Sequence, residues 1–200
     1  MLKTSPRAGL EPKAEILELL SENRVMCVAT LRPDGWPQAT MVGYVHDDLT
    51  LYFVVARISQ KLANIARESR ISIALGHDRP DRLRGLSMAA RAAEVTELAE
   101  IDHLNALMLE RYPGQVVFSP RETSTAVLRA TPEVISVIDL PKGPGEPELV
   151  RVNDETSVCR IPNEAAFGRS GRGGQAATRS SVGVQYTHAR QGEYRPGAPL

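Results

Sequence analysis

Apolar and polar positions change their period several times between residues 12 and 140. Residues 13–22 place Ile16, Leu19 and Leu20 on one helical stripe, and Pro12 suits a first helical turn. Residues 24–31 are β-rich and apolar on both faces, and Pro33-Asp34-Gly35 comes next as a strong turn signal. A second strand is predicted over 38–46 and a third over 49–56, with Asp47-Asp48 turning the chain between them. Strands joined by turns this short form an antiparallel meander, because parallel neighbours need crossovers of about a dozen residues.

The period then shifts to that of a helix over 59–68, where Leu62, Ile65 and Ala66 share a face. Residues 70–75 read as a strand, 78–82 as a loop and 86–96 as a long strand. Ile101, Leu104, Leu107 and Met108 mark an amphipathic helix over 99–112, which Pro113-Gly114 stops. Two last strands are predicted over 125–130 and 133–140, separated by Thr131-Pro132. No internal repeat is visible. The pattern predicts a mainly β, α+β fold: a closed or partly open antiparallel barrel with helices at its ends.

Composition separates this region from the C-terminal quarter of the chain. The chain has 200 residues, with 24 Lys+Arg against 24 Asp+Glu. The balance hides a division, since residues 1–150 carry 17 basic and 20 acidic side chains and residues 151–200 carry 7 and 4. The last fifty residues hold only seven Leu, Ile, Val or Phe and ten Gly or Pro. So little apolar surface does not offset chain entropy, and the stretch reads as a disordered basic tail. Residues 1–11 read as an N-terminal extension, 12–140 as the domain and 141–150 as a Pro/Gly linker. A neutral balance with 4% aromatic residues argues against nucleic acid as a partner. No apolar run is long enough to span a membrane, and no secretory signal pattern opens the chain. Cys27 and Cys159 stand apart from any CxxC or Cys/His pattern, so neither zinc nor a disulfide framework is expected. A cytoplasmic setting is the expectation.

Most of the candidate chemistry lies where the third strand becomes a helix: Val54-Val55-Ala56-Arg57-Ile58-Ser59-Gln60-Lys61. A helix N-terminus leaves N–H groups without backbone acceptors, and its dipole is positive. Ser59 is the N-cap candidate, which puts Lys61 in the first turn, where a cation is unfavourable unless an anion sits beside it. Ser59, the amides of residues 60–62, Lys61 and Arg57 are therefore candidates to converge on a phosphate. Of four lysines against 20 arginines, only Lys61 falls inside the predicted barrel. The alternative for the same pattern is an ordinary serine-capped helix with a surface lysine. No general acid or base is apparent.

Residues 25–42, then Leu51-Tyr52-Phe53, then Ser59-Gln60-Lys61-Leu62-Ala63-Asn64-Ile65, then Arg70-Ile71-Ser72-Ile73-Ala74-Leu75, occur in an order and spacing that resembles the pyridoxamine 5′-phosphate oxidase-like split-barrel family. The resemblance implies an FMN-binding split β-barrel and a homodimer with FMN at the subunit interface. It implies that Ser59 and Lys61 hold the flavin phosphate, that Thr40, Met41 and Val42 lie along the flavin, and that Val54 and Val55 line the same site. The true oxidases place arginines where this chain has Thr40 and Gln60, and Arg57 is a candidate replacement for one of them. They also end in an Arg-x-His pattern that residues 141–200 lack. The resemblance therefore implies FMN, or the related deazaflavin, acting on a small-molecule substrate other than the vitamin-B6 phosphate. It leaves three classes: a flavin-dependent oxidoreductase, a flavin or deazaflavin carrier without turnover, and a split barrel without flavin, such as a haem-handling relative.

Overall fold

The order of elements matches the predicted changes of period. The computed structural model describes residues 11–79, 82–114, 124–139, 148–153 and 157–162. In chain order these form α1 (Pro12–Glu22), β1 (Val25–Leu31), β2 (Pro37–Asp47), β3 (Thr50–Ala56), α2 (Gln60–Arg67), β4 (Arg70–Arg79), β5 (Arg82–Glu94), α3 (Leu98–Arg111), β6 (Thr125–Asp139), β7 (Glu148–Val152) and β8 (Val158–Ile161). The predicted extension over residues 1–10, the linker over 141–147 and the tail beyond 162 lie outside the described residues.

All strand pairs are antiparallel. The sheet runs β3-β2-β1-β4-β5-β6-β7-β8, and β3 also pairs with β6, closing a six-stranded barrel. β6 makes this possible because it is long. One of its edges pairs with β5, while its other edge pairs with β3 over residues 125–130 and with β7 over residues 134–137. Thr131-Pro132 thus does not separate two strands, as the sequence pattern predicts. It marks a bulge, with Ala89 facing Val134 and Ala90 facing Pro132, so that Glu133 is the extra residue. Proline lacks a donor and is tolerated where the ladder on that edge changes partner.

Two further expectations change. Within the predicted loop over 78–82, residues 78, 79 and 82 are strand, since β4 runs to Arg79 and β5 starts at Arg82, and residues 80–81 lie outside the described residues. Gly76 and Gly85 face each other within this hairpin, and a Cβ on Gly85 would stand 2.7 Å from the Leu75 carbonyl oxygen. Residues 148–161, predicted as linker and tail, contain β7 and β8. Their Leu149 and Val150 are buried, which continues the sheet beyond the barrel.

The main core fills the barrel and receives Ile16, Leu19 and Leu20 of α1 and Ile65 of α2. α1 packs against β5 and β8. It is anchored by Arg84 of β5, only 3% exposed, whose guanidinium lies 3.4, 3.2 and 3.8 Å from the carboxylates of Glu15, Glu18 and Glu22. Those three glutamates recur at helical spacing and so share the face turned toward β5. A second cluster joins Ile101 and Leu104 of α3 to Val45, Tyr52 and Val127. Among the described residues, no helix is long and apolar enough to cross a membrane.

Candidate functional site

β2 and β3 are paired for only part of their length. Their ladder runs from Asp47↔Thr50 to Tyr44↔Phe53 and ends there. Beyond it, residues 37–43 of β2 pair with β1 alone, and residues 54–56 of β3 pair with β6 alone. The facing edges of these two segments therefore have no strand partner, and their main-chain groups are left to other acceptors and donors. Thr40, Met41 and Val42 lie on one side of this split, and Val54 and Val55 on the other. α2 starts four residues after β3 ends.

The start of α2 is the candidate anion site. Ser59 is the N-cap in extended conformation, and its Oγ accepts from the Leu62 amide at 3.3 Å. The Ala63 amide donates to the Ser59 carbonyl at 3.3 Å. Helix geometry leaves the amides of Gln60 and Lys61 without an intrahelical acceptor. Lys61 is half-buried, and burial holds its ammonium below the ordinary lysine pKa. Among the described residues no carboxylate forms an ion pair with it. α2 packs against β1, where Cys27 faces Met41 of β2.

A buried polar cluster ties this helix start to β2. Asn64 is fully buried, and its Nδ2 donates to Thr30 Oγ1 at 2.9 Å and to Gln38 Oε1 at 3.2 Å. Gln60 Nε2 donates to Asn64 Oδ1 at 2.9 Å. Thr40 lies two residues beyond Gln38, on the same strand face, and its Oγ1 is buried with no hydrogen-bond partner among the described residues. A buried hydroxyl left in this way is a donor awaiting an acceptor. Thr40 Oγ1, the two amides of α2, and Lys61 together supply donors and positive charge of the kind a phosphate ester accepts.

The structure thus brings Ser59, Gln60 and Lys61 together and sets Thr40 and Val42 on the neighbouring strand face. The other candidates separate. Arg57 Nη2 lies 2.8 Å from Glu94 Oε1 at the end of β5, in an exposed ion pair. Val55 is 6% exposed and belongs to the main core, so only its backbone borders the split. Val54 points the opposite way and packs with the cluster of α3. Met41 is 66% exposed on the outer barrel face, opposite to Thr40 and Val42. Gln38 and Asn64 belong to the polar cluster beside the candidate site, and the sequence pattern does not single them out. The signal for Asn64 is its polar side chain on the face of α2 that carries Ile65 into the core.

Residues 12–139 match the family model for pyridoxamine 5′-phosphate oxidase. The chain belongs to that family. Pyridoxamine 5′-phosphate oxidase-like proteins commonly bind flavin, and their structural relatives include haem binders. The fold is similar to that of the conserved hypothetical protein Rv2991 from Mycobacterium tuberculosis, at 28% identity over 68% of this chain and 90% of that one, with a TM-score of 0.58. It is also similar to an FAD-binding protein from Mesorhizobium loti, at 20% identity over 65% and 95% of the two chains and a TM-score of 0.52. The haem storage protein HutZ from Vibrio cholerae is 21% identical over 62% and 92%, with a TM-score of 0.53. Among curated proteins no match is found.

Proposed function

We propose that this family member binds FMN along the split between β2 and β3 and acts as a flavin-dependent oxidoreductase on a small molecule. The observation that carries the reading is the end of the β2–β3 ladder at Tyr44↔Phe53, with the start of α2 beside the opened edges. In this reading Ser59 shapes the helix start, Lys61 and the amides of Gln60 and Lys61 hold the phosphate, and Thr40 Oγ1 donates to it. The free backbone edge around residues 40–42 meets the polar rim of the ring, as exposed strand edges accept hydrogen-bonding ligands. Bound flavin supplies hydride chemistry, while the chain supplies binding, orientation and the surrounding dielectric.

The exposed apolar side chains of Val25, Leu31 and Met41 on β1 and β2 support a homodimer formed through this face. The two free thiols, Cys27 and Cys159, fit a reducing, cytoplasmic compartment. The test is spectroscopic. The protein purified with FMN shows oxidised-flavin absorbance, and anaerobic NADH or NADPH bleaches it, with the electrons recovered on an added acceptor. A Soret band in place of flavin absorbance assigns the site to haem. Flavin absorbance that neither donor bleaches assigns a carrier.

A further inference from the structure

The last turn of α1 brings a serine to a histidine 25 positions away in sequence. Ser21 Oγ lies 3.3 Å from His46 Nε2. His46 stands where β2 is still paired with β3, opposite Leu51, and not on the opened edges of the split. Its other ring nitrogen, Nδ1, lies 3.0 Å from the Asp48 carbonyl oxygen. Asp48 presents that carbonyl from the β2–β3 turn, in the left-handed region at φ 49°. Its carboxylate is pinned to Lys13 of α1 at 2.6 Å.

These contacts fix the proton on the ring. A carbonyl only accepts, so Nδ1 carries the hydrogen. Burial holds the His46 pKa below the ordinary histidine value. The bond to the Asp48 backbone opposes that shift, Arg111 adds to it, and the carboxylates of Asp47 and Asp48 oppose it. Asp47 is itself 2.8 Å from His103 Nε2, on α3. The ring is therefore neutral at pH 7 and Nε2 keeps its lone pair. Ser21 is then the donor across the 3.3 Å contact. A hydroxyl donating to a neutral imidazole, whose second nitrogen is oriented by a fixed acceptor, has the arrangement of a nucleophile and its general base.

There is room for a substrate beside the pair. Ser21 and His46 line a cavity of about 380 Å³ together with Arg24, Leu107, Glu110 and Arg111. Arg111 Nη2 donates to the carbonyls of Leu20, Ser21 and Asn23, which steadies the chain that carries the serine. The Arg24 guanidinium carbon lies 5.5 Å from the centroid of the Tyr112 ring. An aromatic face holds an arginine without consuming its N–H donors. Among the described residues no carboxylate forms an ion pair with Arg24. Its donors border the space where a carbonyl oxygen gains charge during attack.

We propose that Ser21 and His46 form an acyl-transfer site that hydrolyses small carboxylic esters, separate from the site at α2. Ser21 Oγ bonds to the ester carbonyl carbon as its proton passes to His46 Nε2. Arg24 stabilises the resulting oxyanion. The bond to the alcohol oxygen then breaks, and the imidazolium returns the proton to it. Water attacks the acyl-serine and gives a proton to His46 Nε2. Ser21 regains that proton as the carboxylic acid leaves. No electrons are transferred, so flavin is not required.

Two probes test this on the full chain, each with and without saturating FMN. One is 4-nitrophenyl acetate, read as released 4-nitrophenolate. The other is an alkyl fluorophosphonate, which loses fluoride to an activated serine and leaves a stable ester that peptide mass mapping locates. The label is expected on Ser21, at the same rate with and without FMN. Ser21→Ala is expected to abolish labelling, His46→Gln to slow both reactions about a hundredfold, and Arg24→Gln to slow ester hydrolysis about tenfold. The parent rate is expected to rise with pH through the depressed His46 pKa and then stay flat. Thermal melts report whether each variant is folded. The proposal is overturned if Ser21 is not labelled, if folded Ser21→Ala hydrolyses the ester as fast as the parent, or if folded His46→Gln or Arg24→Gln does so. Loss of both reactions on saturation with FMN also overturns it, because the two sites are then one.

Discussion

Asn64 of α2 donates from its buried amide to Thr30 Oγ1 at 2.9 Å and to Gln38 Oε1 at 3.2 Å, and so ties the helix start to the β1–β2 hairpin. The tie joins positions 34 and 26 residues apart in sequence. Replacing Asn64 by Leu leaves two buried polar groups facing an apolar side chain, at a cost of about 1–3 kcal/mol. Urea denaturation of Asn64→Leu checks this. Flavin affinity falls in the same variant, because α2 is no longer positioned against Thr40. Lost stability with an unchanged FMN dissociation constant would detach the flavin from α2.

Lys61 gives opposite signs for stability and for binding. Burial depresses its pKa in the folded chain, so over the interval below the ordinary lysine value the unfolded chain holds the proton more tightly than the folded one. The unfolded state then binds more protons, and stability rises with pH through that interval. Lys61→Met removes the desolvated charge, so its melting temperature without flavin exceeds that of the parent at neutral pH, and the difference shrinks as pH rises. Flavin affinity moves the other way, falling about tenfold or more with the loss of one charged contact. In the parent, affinity is lost as pH rises through the depressed pKa. A variant that loses both stability and affinity would make Lys61 a structural residue.

The positions of helices and barrel strands are legible in the sequence because each rests on local periodicity. Ser59 is legible as a cap for the same reason, since capping is decided within four residues. What stays hidden depends on distant partners. Glu94 pairs with Arg57 from 37 positions away. Pro132 reads as a break because nothing local shows that β6 changes partner there. β7 and β8 disappear in the average over the last fifty residues. They are short, β7 leans on the ladder of β6 and β8 on that of β7, so they need few apolar residues of their own.

Arg84 joins β5 to three glutamates of α1 while only 3% exposed. Arg84→Ala leaves carboxylates in a space shaped for their cation, and removing one member of a buried ion pair costs about 3–5 kcal/mol. Glu22 is the most exposed of the three partners, at 37%, so Glu22→Gln costs much less, within about 1 kcal/mol. Guanidinium denaturation of both variants tests the ordering. Equal losses would show that α1 is held by its apolar stripe alone.

Truncation separates the sequence boundary from the structural one. A chain ending at residue 140 loses β7 and β8, which exposes the edge of β6 between Val134 and Val137. It also loses Leu149 at 6% and Val150 at 0% exposure, each contributing about 1.5–3 kcal/mol of burial. The chain ending at 140 is therefore expected to melt well below the full chain and to aggregate through the freed strand edge. A chain ending at 162 keeps both strands and the contact of β8 with α1, and is expected to melt with the full chain. Matching melting temperatures for the two truncations would mean that the barrel needs no extension beyond β6. A shortfall confined to the shorter chain assigns residues 148–161 to the folded domain.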